Sequence, residues 1–359
     1  MSRDTGRTYW CVNGKKYFSK VEALDAAADL RSISFHHHDD AFSKVDWLTE
    51  PALSWPELLR QRAQQLRDNY DYLRLWYSGG VDSHTVLMTF IENKIPLDEI
   101  CLMRTSPIAQ YEDPGNAEIN LVALPFLRKI QHLLHNTKIT VLDLGPELYL
   151  KLFSDPDWLK RVNTLDFRIS YVSTVTYLLP ELNSHLDRGI KLANITGGNK
   201  PRLEKEGGRY YAFYWDEYLK GDLNFSTHET LEEFYFSSEL PAVHVKQCHM
   251  VKNYLKQNYP DMTDLREFFR NDHPRYVNEL NNVVRLRAPG EISLGKSPKL
   301  ISPKAQQQLM QAERGNRAVF DLYWRRLEEQ GSFKNWRFNE NTISSGFIGI
   351  RTKRYDLGP

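Results

Sequence analysis

The segment Ser78-Gly79-Gly80-Val81-Asp82-Ser83 combines residue types and spacing suited to phosphate chemistry. Adjacent glycines let the backbone curl so that successive N–H groups point into one concavity, and the two serine hydroxyls add donors to it. Asp82 would repel a bare polyphosphate, so its carboxylate makes sense as a ligand for Mg2+ that bridges the phosphates. A second glycine pair occurs in Thr196-Gly197-Gly198-Asn199-Lys200-Pro201-Arg202. There Lys200 and Arg202 offer cationic donors to the same phosphates, although the segment reads equally well as a solvated turn between domains.

Both segments need elements that bring them together. YDYLRLWY, before the first, is an apolar, aromatic run fit for a buried strand, and HTVLMTFIENK, after it, has helical spacing. The loop therefore sits at a helix N-terminus, whose partial positive charge favours an anion. EICLMRTS and KITVLDLG are further apolar runs, separated by a long helical segment from Asn116 to His135. IKLANITGG follows a helix-like stretch around Ser170–Leu186. This alternation predicts an α/β fold, a parallel twisted sheet with helices on both faces, over residues 71–205. Parallel strands present all their carboxyl ends along one edge, which places the two glycine pairs near each other.

Residues 1–70 read as an N-terminal accessory region. Asn13-Gly14 predicts a tight hairpin, Ser19 with Glu22 a capping box, and Leu53–Tyr70 an amphipathic helix covering a sheet. Beyond Gly208 the chain is rich in Tyr, Phe and Trp, with helical patterning and no clear strands. Residues 206–359 are accordingly expected to be a mainly helical substrate-binding or oligomerisation region.

With its strand-to-helix setting, SGGVDS resembles the loop of the PP-loop ATP pyrophosphatases. Their N-type members (GMP, NAD, asparagine and argininosuccinate synthetases, tRNA-lysidine synthetase and 7-cyano-7-deazaguanine synthase) carry SGGxDS at this position. The match covers every fixed position of the motif, and the surrounding pattern extends it to roughly residues 71–205. The resemblance implies a HUP-type (Rossmann-like) fold with ATP and Mg2+ as cofactors. Ser78, Gly79, Gly80, Val81, Asp82 and Ser83 would then grip the phosphates that leave as pyrophosphate, assisted by Gly197, Gly198, Lys200 and Arg202. It also implies an AMP-forming ligase that adenylates a carbonyl or carboxylate oxygen, after which an amine or ammonia displaces AMP. Glutamine-dependent relatives with an N-terminal-nucleophile glutaminase need Cys at position 2; here Ser2 stands there and Cys11 is the first cysteine. The nitrogen must come from ammonia, a substrate amine or a separate partner.

Gly290-Glu291-Ile292-Ser293-Leu294-Gly295-Lys296-Ser297 fits the GxxxxGK[ST] pattern of a kinase-type P-loop, so a kinase or NTPase is one alternative. Pro289, Pro298 and Pro303 interrupt the strand and helix such a loop requires. A nucleotide-binding protein without ligase activity is the other. His36-His37-His38-Asp39-Asp40 reads as a solvated loop, since adjacent side chains rarely converge on one ion. Lys246 and His249, on a predicted helix, are candidate contacts to the site. The aromatic clusters Tyr210–Tyr218 and Phe333–Phe338 suit base stacking or packing.

Forty-seven Lys and Arg balance 46 Asp and Glu, so no global field draws the protein to nucleic acid or an anionic membrane. A nucleic-acid partner stays open without being indicated, and a small-molecule or nucleobase-containing acceptor and a homo-oligomer remain compatible. Cys11, Cys101 and Cys248 are too scattered for a zinc ribbon or disulfide scaffold. The sequence offers no signal peptide and no 18-residue apolar run, so the expected location is cytoplasmic.

Overall fold

In the computed structural model, residues 8–18, 20–28, 30–104, 118–144, 146–155, 179–184, 188–197, 202–214, 216, 229–263, 265, 283 and 350–359 are described. The amino-terminal strands β1 (Tyr9–Val12), β2 (Lys15–Tyr17) and β3 (Ile33–His36) form an antiparallel sheet in the order β2-β1-β3. Asn13 and Gly14 take φ of 49° and 82°, the positive values that a two-residue hairpin demands. Two short helices, α1 (Lys20–Ala26) and α2 (Asp39–Phe42), flank β3. Ser19, the expected cap of α1, lies outside the described residues.

Helix α3 (Trp55–Asn69) starts where Glu57 turns back to accept bonds from the Ser54 amide (2.9 Å) and hydroxyl (2.5 Å), with Pro56 in the first turn. It leads into β4 (Tyr72–Trp76), α4 (Val81–Glu92) and β5 (Glu99–Arg104). The long helix expected over Asn116–His135 is broken among the described residues. It comprises a π-helical stretch at Glu118–Ala123, then α5 (Leu124–Lys129), then a 3-10 turn at Gln131–Leu133. Pro125 accounts for the restart, since it removes an amide from the ladder and is tolerated only in a first turn. Strand β6 (Lys138–Asp143), helix α6 (Pro146–Ser154) and strand β7 (Leu192–Thr196) follow.

Five strands, with β10 (Glu229–Glu233) the last, form one parallel sheet in the order β10-β7-β4-β5-β6. The chain runs outward from β4 to β6, then returns past β4 to β7 and β10. The winding direction thus reverses between β4 and β7, where open α/β sheets of the Rossmann-like kind bind ligands at their carboxyl ends. Alternation gives the sheet two unlike faces. Leu73, Leu75, Ile100, Leu102, Ala193 and Ile195 join a core with Leu58, Leu59 and Leu66 of α3 and Val86, Leu87 and Phe90 of α4. Helix α7 (Pro241–Asn258) adds Val243, Val251 and Leu255 to the same core.

The other face is polar and buried. Arg74, 1% exposed, donates to Glu99 (2.7 Å), Asn194 (3.4 Å) and the Leu182 carbonyl (2.6 Å), while Trp76 Nε1 donates to Asn194 (2.8 Å).

The expectation that no clear strands follow Gly208 is corrected. β8 (Arg202–Glu206), β9 (Arg209–Phe213) and β11 (Tyr355–Gly358) form a second antiparallel sheet, and β10 completes the parallel one. β10 reads Glu-Thr-Leu-Glu-Glu, a pattern with no apolar alternation to reveal it. Distant residues approach it: Arg62 of α3 contacts Glu232 at 2.5 Å, and His37 Nε2 lies 3.6 Å from Glu233. None of the described helices is long and apolar enough to cross a membrane.

Candidate functional site

The Tyr77 amide donates to the Cys101 carbonyl (2.8 Å), extending the ladder one residue past β4 before the chain turns. Gly79 takes φ 78°, a left-handed conformation that a side chain would strain, and Gly80 takes the N-cap position of α4 in an extended conformation. Ser83 braces the turn from inside the first helical turn. Its Oγ accepts from the Ser78 amide (3.2 Å), lies 3.1 Å from Ser78 Oγ and donates to the Gly80 carbonyl (3.2 Å). No side chain caps α4, and a helix cannot satisfy its first-turn amides internally. Val81 and Asp82 occupy the first two helical positions, half-buried, and Ser78 is exposed.

Gly197, immediately after β7, closes the site from the neighbouring strand. A Cβ there would lie 2.8 Å from the Ser83 amide nitrogen and 2.9 Å from the Asp82 carbonyl carbon and Ser83 Cα. Only a residue without a side chain lets the two strand ends approach so closely. The structure thus brings Gly197 against the Ser78–Ser83 loop at the reversal between β7 and β4. Gly198 and Lys200 lie outside the described residues. Arg202 opens β8 opposite Phe213 and is half-buried. It lies five positions beyond Gly197, a span of at most about 18 Å.

Other sequence candidates fall elsewhere. Lys246 Nζ binds the Pro51 carbonyl (3.0 Å) and Glu50 (2.7 Å), and His249 Nε2 meets the Trp47 carbonyl (2.9 Å). Both therefore fasten α7 to the amino-terminal region. The solvated loop expected at His36–Asp40 is also corrected. His36 closes β3 with Nδ1 on Asp39 (2.8 Å), whereas His37, 5% exposed, stacks on Phe236 with ring centroids 4.5 Å apart. Burial pushes His37 down to about 3, against the nearby charge of Asp39. The GxxxxGKS segment at 290–297 and the cluster at 333–338 lie outside the described residues.

Two features at the carboxyl edge escaped sequence reasoning. Arg104, ending β5, donates from Nη1 to both Asp143 oxygens (3.0 and 3.2 Å) at the end of β6 and from Nε to Asn120 (3.1 Å). Tyr235, two residues past β10, donates its hydroxyl to the Asp82 carbonyl at 2.8 Å. No local signal marks either, because each acts across a large sequence separation.

Among the described residues no three or more His, Cys, Asp or Glu side chains are grouped to hold a metal ion. A Mg2+ carried by a nucleotide needs fewer protein ligands, since one or two carboxylates suffice beside phosphate oxygens and water. Asp82, at the mouth of an uncapped helix and beside a glycine turn, fits that requirement. The cysteines are free, with Cys101 and Cys248 buried; burial, aided by Glu99, raises Cys101 to about 12, which keeps its thiol protonated. No family model matches this chain, and no curated protein is significantly similar to it.

Proposed function

We propose that the protein is an ATP-consuming, AMP-forming ligase of the PP-loop kind, acting at the Ser78–Ser83 loop. One observation carries the reading: the SGGVDS turn stands at the carboxyl end of the central strand, where the winding reverses, with Gly197 pressed against its backbone. A kinase-type loop could share that location. The residue sequence favours pyrophosphate as the group held, in line with the SGGxDS resemblance.

In this reading, the Ser78 hydroxyl and the first-turn amides of α4 hold the β and γ phosphates, and Asp82 holds the Mg2+ that accompanies them. The acceptor's carbonyl or carboxylate oxygen attacks the α-phosphorus, and pyrophosphate leaves with the electrons of the broken P–O bond. An amine or ammonia then attacks the adenylated carbon, and AMP departs. Positioning and electrostatic stabilisation supply the rate; no side-chain nucleophile is needed. Lys200 and Arg202 are the cations proposed to offset the developing charge.

Labelled ATP incubated with the protein and a metabolite extract should yield AMP and pyrophosphate in equal amounts. Asp82→Asn should abolish the conversion while leaving the melting temperature near that of the wild type. ADP and phosphate as the main products would reject this reading in favour of phosphoryl transfer or simple hydrolysis. Tight ATP binding with no turnover under any acceptor would leave a nucleotide-binding protein.

A further inference from the structure

Tyr235 is 2% exposed, and its ring stacks on Trp55 of α3 with centroids 5.9 Å apart and planes 16° from parallel. A phenylalanine would fill that space equally well. The hydroxyl is instead directed at the Asp82 carbonyl, 153 residues away in sequence, at 2.8 Å. That carbonyl sits in the first turn of α4, where the helical ladder already supplies it with a donor. The additional bond is therefore not needed to form the helix.

The backbone that carries Tyr235 is itself fixed. Its neighbour Phe234 donates its amide to the Thr196 carbonyl (2.9 Å), immediately before Gly197. Arg62 of α3, fully buried, donates to the Phe234 carbonyl (3.3 Å) and to Glu232 (2.5 Å). On the far side Phe236 stacks on Phe42 with centroids 4.2 Å apart.

We infer that Tyr235 is a positioning residue for Asp82: its hydroxyl fixes the Asp82 peptide and so aims the carboxylate at the metal that accompanies the nucleotide. This rests on the PP-loop reading of the site. Through Tyr235, the strand-end segment after β10 becomes a third wall of the site beside the loop and Gly197.

The test is isothermal titration of ATP into the full chain over a range of Mg2+ concentrations, with melting temperatures measured in parallel. Tyr235→Phe should raise the Mg2+ needed for half-maximal ATP binding about fivefold, the effect of one lost hydrogen bond. ATP binding without metal should stay within about twofold of wild type. Because Tyr235 acts through Asp82, the double variant Tyr235→Phe/Asp82→Asn should bind no more weakly than Asp82→Asn alone. Trp55→Phe, which loosens the stacking but keeps the hydroxyl, should lower the melting temperature and leave the Mg2+ dependence unchanged.

The inference is overturned by a wild-type Mg2+ profile in Tyr235→Phe, by additive effects of the two substitutions, or by a Trp55→Phe shift as large as that of Tyr235→Phe. Equal loss of ATP binding with and without metal would also overturn it, since that is what a merely structural residue would give. A wild-type chain that binds no Mg·ATP would reject the PP-loop reading itself, and the role of Tyr235 with it.

Discussion

Gly197 shows how a single residue decides whether two strand ends can meet. Alanine there would push a methyl group against the backbone of Asp82 and Ser83, at 2.8–2.9 Å, and backbone has no rotamer to yield. Gly197→Ala should therefore cost about 1–3 kcal/mol of stability, as overpacking does, and displace the loop enough to weaken ATP binding as well. Thermal denaturation and nucleotide titration of the variant check both parts. A variant that melts and binds like wild type would mean that β7 and the loop are not in contact. Gly79 is constrained differently, by its φ of 78° rather than by a neighbour. Gly79 thus reflects backbone conformation, whereas Gly197 answers to packing.

Helix α3 carries two kinds of stabilisation that differ in size. At its start the Ser54–Glu57 pair is exposed, and Ser54→Ala should cost about 1 kcal/mol, the usual worth of a cap. In its middle, fully buried Arg62 contacts Glu232, Gln65 and the Phe234 carbonyl. Arg62→Ala removes the cation and leaves Glu232, also bonded by the Tyr70 hydroxyl, without its charge partner. The expected loss is about 3–5 kcal/mol, because a partly buried carboxylate then lacks its counter-charge. Urea denaturation of the two variants side by side should separate them clearly. Equal midpoints would show that β10 is not held by α3. The helix itself is legible from sequence, but Arg62 reads as one more charge on an amphipathic helix until β10 is placed beside it.

At the scale of the whole molecule, the amino-terminal region, the segment after β9 and α7 meet around His244. Its Nδ1 pairs with the Tyr214 hydroxyl (2.8 Å), its Nε2 with Cys248 Sγ (3.4 Å), and its ring meets Phe42 and Trp47 edge-on. Burial pushes it down from 6.5 to about 3, so it stays neutral in the folded protein. The unfolded chain binds the proton first as pH falls. The stability that neutral His244 contributes is thus fully present above about pH 6.5 and is lost progressively below it, down toward its folded value. Between pH 7 and pH 5 this single group should remove about 2 kcal/mol. His37, also held down by burial against the opposing charge of Asp39, adds to the loss. Denaturant unfolding at both pH values measures the difference. Stability that is flat or rising over this range would show that His244 is hydrated.

The sequence alone determined the local features: the Asn13-Gly14 hairpin, the amphipathic helix within Leu53–Tyr70, and the strand, glycine turn and helix around Ser78–Ser83. These follow from turn chemistry and from apolar periodicity, which act over a few residues and need no partner. It also determined that a parallel sheet would result, because strands and helices alternate. The tertiary structure alone decided that an acidic segment, Glu229–Glu233, is a strand of that sheet, since Glu232 becomes acceptable there only beside Arg62. It likewise decided that Gly197 touches the loop and that the Tyr235 hydroxyl reaches Asp82. Such contacts depend on which strand ends share an edge, a consequence of strand order that no short stretch of sequence encodes.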